Sequence, residues 1–180
     1  MMRAWENRPD TFVVDEPLYA HYLDHTGRDH PVAEQVIAAG ETDWPKVVEW
    51  LTSGSPDGQP VFYQKQMAHQ LLPHIDRDWI DSLTNCLLIR DPREMITSYI
   101  RRVPDPTMDD LGMPQLVEIF ERTRERSGRV PPIIDAQDVL ENPRRILGLL
   151  CEAVGVEFSE AMLSWPAGRR DGDGVWAAHW

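Results

Sequence analysis

The sequence predicts an α/β fold, a mostly parallel sheet flanked by helices, on three observations. Four short apolar runs, Thr11–Val14, Pro60–Tyr63, Asn85–Ile89 and Pro131–Ile134, are continuous rather than alternating, the pattern of strands covered on both faces. Helical patterns with clear end signals separate them, and strand taking turns with helix gives the α/β class. Charged residues also follow each run, directly or after one residue, as they do when a ligand crevice lies beyond the carboxyl ends of strands.

The elements follow in order. After the first run, His21 and His25 stand four apart on a helical stretch and so share a face. Asp43 precedes Trp44 and Pro45; Val47, Val48 and Leu51 then form one stripe, and Gly54 stops it. Ser55–Pro60 (SPDGQP) is a turn by composition. After the third run, Asp91 is an N-cap, Pro92 a first helical residue and Glu94 the partner of a capping-box-like pattern. Met95, Ile96, Tyr99 and Ile100 are that helix's expected inward stripe. Pro114 opens a helix with Leu116, Val117 and Phe120 inward and Glu118 paired to Arg122 outward, ending at Gly128. Asn142 caps a helix with Pro143 at its first position; Ile146, Leu147, Leu150, Cys151 and Val154 recur at helical spacing up to Gly155. Pro166–Trp180 has no period and reads as a surface loop.

Composition limits the functions open to the chain. Its 180 residues fit one domain, 1–180, with a real core. Hydrophobic residues make up 42% and the mean hydropathy is −0.43, values of a soluble globular protein. No apolar run approaches the ~20 residues of a membrane span. No secretory signal pattern opens the chain, so the expected location is the cytoplasm. With 18 Lys and Arg against 30 Asp and Glu, the net charge is −12, which argues against a nucleic-acid partner. A small anionic ligand remains open, since it needs cations at one point only. Cys86 and Cys151 lie in apolar runs and read as buried thiols; no CxxC spacing points to zinc or redox chemistry.

The charges at the strand ends are the informative feature. Val14 is followed by Asp15 and Glu16, Gln64 by Lys65, Ile89 by Arg90 and Asp91, and Ile134 by Asp135. Parallel strands would gather these acids and bases along one edge. Arg90 stands between a strand and a helix N-terminus, a good place for a phosphate. Its plainer reading is a salt bridge to Asp15 or Asp135.

At these residues the chain resembles a known family. LLIRDPREMITSYIRR, Leu87–Arg102, is similar to the 3′-phosphate-binding segment of P-loop sulfotransferases: a strand, an Arg, then a helix bearing Ser. Glu6–Leu23 resembles the segment after that family's first helix, and Ile133–Phe158 its late strand and "acid-Leu … Asn-Pro" helix. The resemblance implies a three-layer P-loop-NTPase-like fold. It also implies transfer of a sulfuryl group from 3′-phosphoadenosine-5′-phosphosulfate (PAPS) to a hydroxyl or amine, with no metal. The family's phosphate-binding Arg and Ser fall on Arg90 and Ser98. Glu16 is the candidate base, because family members place a carboxylate after the second strand. Lys65 and His69 are candidates for steadying the sulfuryl or bridging oxygens. Arg169 and Arg170, beside Trp165 and Trp176, are candidates for closing over the nucleotide. The plainer readings are a helix-surface serine for Ser98, a packed helix residue for His69 and a solvated basic turn for Arg169 and Arg170.

The sequence also departs from that family. Its members open with a strand and a Gly/Ser/Arg/Thr loop that cradles the 5′-phosphosulfate, whereas Met1–Trp5 resembles the middle of the first helix. No GxxxxGK[ST] or relaxed equivalent occurs in the sequence. The C-terminus, His179-Trp180, also stops in mid-pattern. Losing about three charge-assisted hydrogen bonds of roughly 1.5–3 kcal/mol each would weaken donor binding by about a thousandfold or more. A missing central strand would leave apolar edges open to self-association. The expectation is a poor enzyme of marginal stability. Two other readings stay open: a non-catalytic relic or binding protein keeping only the 3′-phosphate site, and a P-loop nucleotide kinase-like protein, against which the absence of a Walker-type Lys counts. A metal site at His21 and His25 is disfavoured, since Tyr22 stands where HExxH needs Glu and no third ligand is evident. The acceptor carries no signature in the variable stretches His30–Gly54 and Asp105–Gly128.

Overall fold

A computed structural model describes the chain except Arg102, Pro104, Arg169, Asp171 and residues 177–180. It divides into two units, Met1–Ile75 with Ser159–Trp180, and Asp76–Phe158. The candidate Arg169 thus lies outside the described residues.

The first unit carries α1 (Met2–Glu6), β1 (Thr11–Asp15), α2 (Tyr19–Thr26), α3 (Ala33–Ala39), α4 (Trp44–Thr52) and β2 (Val61–Lys65). Strands β1 and β2 are parallel, with Phe12 beside Phe62 and Asp15 beside Lys65. The ring of Phe62 meets Phe12 at 5.7 Å and Trp50 of α4 at 5.4 Å, both edge-on, while Trp5 of α1 stacks on Tyr63 at 5.1 Å. Helices α2 and α3 close over a core of Tyr19, Ala20, Tyr22, Leu23, Val32 and Val36. Their approach is tight: a Cβ on Gly40 would lie 2.6 Å from the Ala20 Cβ.

Trp176 belongs to that core, with its ring 5.2 Å from Tyr19. The tail is therefore a loop with a buried anchor, not a surface loop throughout. Asp43 does not cap α4 with its side chain; the carboxylate meets Lys46 Nζ at 3.4 Å instead.

The second unit carries β3 (Leu87–Ile89), α5 (Pro92–Tyr99), α6 (Met113–Ser127), β4 (Ile133–Asp135), α7 (Ala136–Glu141) and α8 (Pro143–Val154). Strands β3 and β4 are also parallel, with Leu88 beside Ile134. Helices thus flank parallel strand pairs in both units, the α/β class the sequence implies. The caps of α5 and α8 form as their residues require: Asp91 accepts from the Arg93 and Glu94 amides, and Asn142 accepts from the Arg145 amide at 3.2 Å. Leu147, Leu150 and Cys151 are the buried stripe of α8.

Four expectations about the second unit need correction. The β3 run is not covered on both faces, for Leu88 is 46% and Ile89 43% exposed. Helix α5 buries none of its residues, so Ile96 and Ile100 remain exposed. On α6, Val117 is exposed, because it stands about 100° around the helix from the half-buried Leu116 and about 60° from Phe120. Nor do Glu118 and Arg122 pair: Arg77 takes Glu118 at 3.2 Å, and Arg122 takes Asp78 at 2.7 Å and Asp81 at 2.6 Å. The turn at Asp78–Ser82 offers these fixed acids, which hold the Arg122 guanidinium more firmly than one flexible helix neighbour could. Cys151 is buried and Cys86 half-buried, with burial raising the Cys86 thiol above its usual range. Among the described residues no helix is long and apolar enough to cross a membrane.

Candidate functional site

Parallel pairing of β1 and β2 brings their charged ends together, because residues in register share one end of the sheet. Asp15 and Lys65 are register partners, and Lys65 Nζ lies 2.9 Å from Asp15 Oδ1. The same ammonium donates to Glu16 Oε1. Gln70, only 1% exposed, donates from Nε2 to Glu16 Oε2 at 2.7 Å. Both oxygens of Glu16 are thereby oriented, and the residue is 8% exposed.

Its backbone is unusual too. Glu16 has φ +48°, in the left-handed region that a side chain with a Cβ seldom occupies. Two hydrogen bonds hold it there: its amide donates to the Lys65 carbonyl at 2.8 Å, and its carbonyl accepts from the Tyr19 amide at 2.9 Å. Strain of this kind persists where surroundings over-determine a residue, often at working sites.

Electrostatics agree with the geometry. Burial pushes the Asp15 carboxyl up, against the pull of Lys65. Burial would lower the Lys65 ammonium, but Glu16 and Asp15 outweigh it and hold Lys65 above its usual value. His69 behaves differently: burial, with Arg28 and Lys65 adding to it, lowers it to about 4. Its ring meets Tyr22 edge-on at 5.1 Å. At neutral pH His69 is therefore uncharged, able to share a hydrogen bond but not to neutralise an anion.

A cavity of about 510 Å³ opens beside Asp15 and Glu16. Its walls are mainly apolar, from Val36 of α3, Val47 and Trp50 of α4, and Trp176. The His30–Gly54 stretch thus supplies two walls. The size suits a small organic molecule, with Glu16 at one side to receive a proton from it.

In the second unit Arg90 lies just before α5 and pairs through Nε with Glu94 Oε2 at 2.9 Å, not with Asp135 of the same unit. Asp135 instead caps α7, accepting from the Gln137 amide at 2.8 Å. Glu94 and Ser98 are four apart on α5 and share an exposed face, and Arg90, exposed just before the helix, reaches Glu94 on that face. No partner for the terminal nitrogens of Arg90 or for the Ser98 hydroxyl is seen among the described residues. Two of the α5 amides are already occupied by Asp91, so an anion here would depend on the guanidinium and the hydroxyl.

Arg170 is engaged elsewhere. Its Nη2 donates to Asn7 Oδ1 at 3.0 Å and its Nη1 lies 3.7 Å from Glu6 Oε2. That ties the tail to α1. Trp165 is exposed, while Trp176 is spent on the core.

Reading the sequence missed Gln70 and the cavity wall. Gln70 follows Glu16 by 54 positions and sits in no periodic pattern, so no local signal marks it.

The model of the sulfotransferase domain family matches residues 1–180. The chain is 34% identical over 180 residues to branched-chain-amino-acid aminotransferase-like protein 1 of Arabidopsis thaliana. It is 31% identical over the same length to protein 2 of that name in the same plant. Each alignment covers 100% of this chain and 32% of the relative, so the chain spans about a third of the length of these curated relatives.

Proposed function

We propose a sulfuryl-transfer function from one premise: this chain belongs to the sulfotransferase domain family. The donor is PAPS, which the family generally uses, and the acceptor is a small hydroxyl or amine compound. The donor supplies an activated sulfuryl group: the acceptor oxygen or nitrogen bonds to sulfur, the bond from sulfur to the bridging phosphate oxygen breaks, and 3′-phosphoadenosine-5′-phosphate (PAP) leaves.

The chain's residues supply positioning and proton transfer. Glu16 takes the acceptor's proton, with its carboxylate aimed by Lys65 and Gln70. Lys65 has three donors, two of them directed at Glu16 and Asp15; it places positive charge where negative oxygens must be steadied. His69, neutral, contributes a hydrogen bond. Arg90 and Ser98 hold the 3′-phosphate, and the residues suit that role: the guanidinium, its terminal nitrogens without a partner among the described residues, and the hydroxyl are both exposed. Glu94 is the occupant such a phosphate must displace. As an exposed i,i+4 pair it holds Arg90 by only about 0.3–0.5 kcal/mol.

The observation that carries this reading is a buried, ion-paired carboxylate at the side of an apolar cavity, in a chain whose whole length matches the family. Calorimetric titration of the full chain with PAP and with ATP tests it. PAP is expected to bind better than ATP. Arg90→Ala should weaken PAP by about 10–100-fold, the worth of one charge-assisted hydrogen bond. Glu94→Gln should tighten PAP. A preference for ATP, or PAP binding indifferent to Arg90→Ala, would reject the assignment.

A further inference from the structure

We propose that His21, His25 and His74 form a binding site for a divalent transition cation, with Zn²⁺ the first to try. All three lie in the first unit, and one potential ligand nitrogen from each falls within 4.8 Å of the others. His21 and His25 share a face of α2, with ring centroids 5.7 Å apart. The segment after β2 brings the third: His74 lies 5.1 Å from the His21 ring and 4.2 Å from the His25 ring. That third imidazole is 53 residues from His21, which is why helix spacing alone left the pair without a partner.

The hydrogen-bond pattern is what distinguishes the cluster from stacked surface rings. His21 is buried, and its Nδ1 lies 2.7 Å from the Thr42 carbonyl oxygen. A carbonyl can only accept, so Nδ1 carries the proton, and the neutral ring presents a lone pair at Nε2. Orienting a ligand histidine through a backbone carbonyl on its other nitrogen is the usual support of a metal site. That Nε2 faces His74 Nε2 at 2.9 Å. Without a cation, one shared proton satisfies the pair. With one, tetrahedral ligands at about 2.0–2.1 Å put neighbouring nitrogens roughly 3.3 Å apart. The rings of His25 and His74 are exposed, so both can turn by the few tenths of an ångström to an ångström required. The fourth position would be taken by water.

Imidazole nitrogens select borderline cations such as Zn²⁺, Co²⁺ or Ni²⁺ over Mg²⁺ and Ca²⁺. The set is three imidazoles with no carboxylate, and Tyr22 follows His21, so it is not the HExxH pattern. Its effect would be to tie the last turn of α2 to the segment around His74. This is independent of the sulfuryl-transfer reading and requires nothing of it.

The test uses the full chain, free of any histidine tag and stripped by EDTA. Zn²⁺ is titrated calorimetrically and Co²⁺ by visible absorption. Expected are one cation per chain, a tetrahedral Co²⁺ spectrum, and at least about tenfold weaker binding in each of His25→Gln and His74→Gln. These two side chains are exposed, so both variants should fold, and circular dichroism checks that they do. His30→Gln, a histidine outside the cluster, should bind as the unaltered chain does. Absence of one-to-one binding, affinity unchanged in either cluster variant, or an equal loss in His30→Gln would overturn the site.

Discussion

Replacing Lys65 by Met removes the ammonium that faces two carboxylates at once, and the cost can be worked from the geometry. Lys65 lies 2.9 Å from Asp15 Oδ1 and also meets Glu16, while its side chain is 32% exposed. At an effective dielectric near 20, a unit pair about 4 Å apart is worth about 4 kcal/mol. There are two such attractions, but the ammonium's own burial cost disappears with it, and solvent reaches a third of the side chain. Breaking a buried pair costs about 3–5 kcal/mol, so a loss of about 2–4 kcal/mol is expected here. For a chain of this size that lowers Tm by roughly 4–16 °C. The loss should depend on pH. Asp15 already has a raised carboxyl, and without Lys65 it rises further; once it binds a proton the repulsion from Glu16 disappears. Lys65 itself, with its folded value above the unfolded one, contributes fully at pH 7 and loses that contribution only as pH rises through its folded value. Urea unfolding of Lys65→Met and the unaltered chain at pH 7.5 and pH 4.5 measures both effects. The deficit should be large at pH 7.5 and clearly smaller at pH 4.5. An equal deficit at both would assign it to altered packing around the Met side chain and refute the role given to charge.

Two further outcomes follow from the same packing. His69, lowered to about 4 in the folded chain against an unfolded 6.5, is neutral when folded, so stability attributable to it is present above 6.5 and lost as pH falls through that window. By NMR its ring should titrate near pH 4, and His69→Gln should recover up to about 3 kcal/mol of the stability lost between pH 7 and pH 4; titration near 6.5 would show the ring to be solvated. Gly40→Ala should cost about 1–3 kcal/mol by thermal unfolding, since its Cβ would lie 2.6 Å from that of Ala20 and both helix backbones would have to part; an unchanged Tm would mean that α2 and α3 have room for a methyl group between them.

What the sequence disclosed follows the range of the interactions concerned. The strand centres were legible because a run such as Phe12-Val13-Val14 has no polar face to offer water, and α8 because Asn142, Pro143 and Gly155 act within one turn of their own positions. The acids and the base at the β1 and β2 ends were legible because parallel pairing turns separate strand ends into one cluster. Coverage of β3 was not, since apolar content states what a strand tolerates and not what packs on Leu88 and Ile89. Gln70, His74 and Trp176 were not either. Each reaches its place through loop geometry across dozens of residues, and none belongs to a helical or strand period that could announce it. The unusual φ of Glu16 is of the same kind: the Lys65 carbonyl and the Tyr19 amide, neither in its own strand, hold it.

Acceptor-dependent release of PAP from ³⁵S-labelled PAPS, in the full chain and in Glu16→Gln, tests sulfuryl transfer at Glu16 most directly. A mixture of small phenols, alcohols and amines serves as acceptor, and the label makes even slow turnover visible. Release should rise with acceptor, move the label into it, and fall by about 100-fold or more in Glu16→Gln, the usual worth of a positioned base. PAP binding should survive that substitution. PAP that binds without any acceptor-dependent release, or release at an equal rate in Glu16→Gln, would contradict the account and leave a nucleotide-binding protein in place of an enzyme.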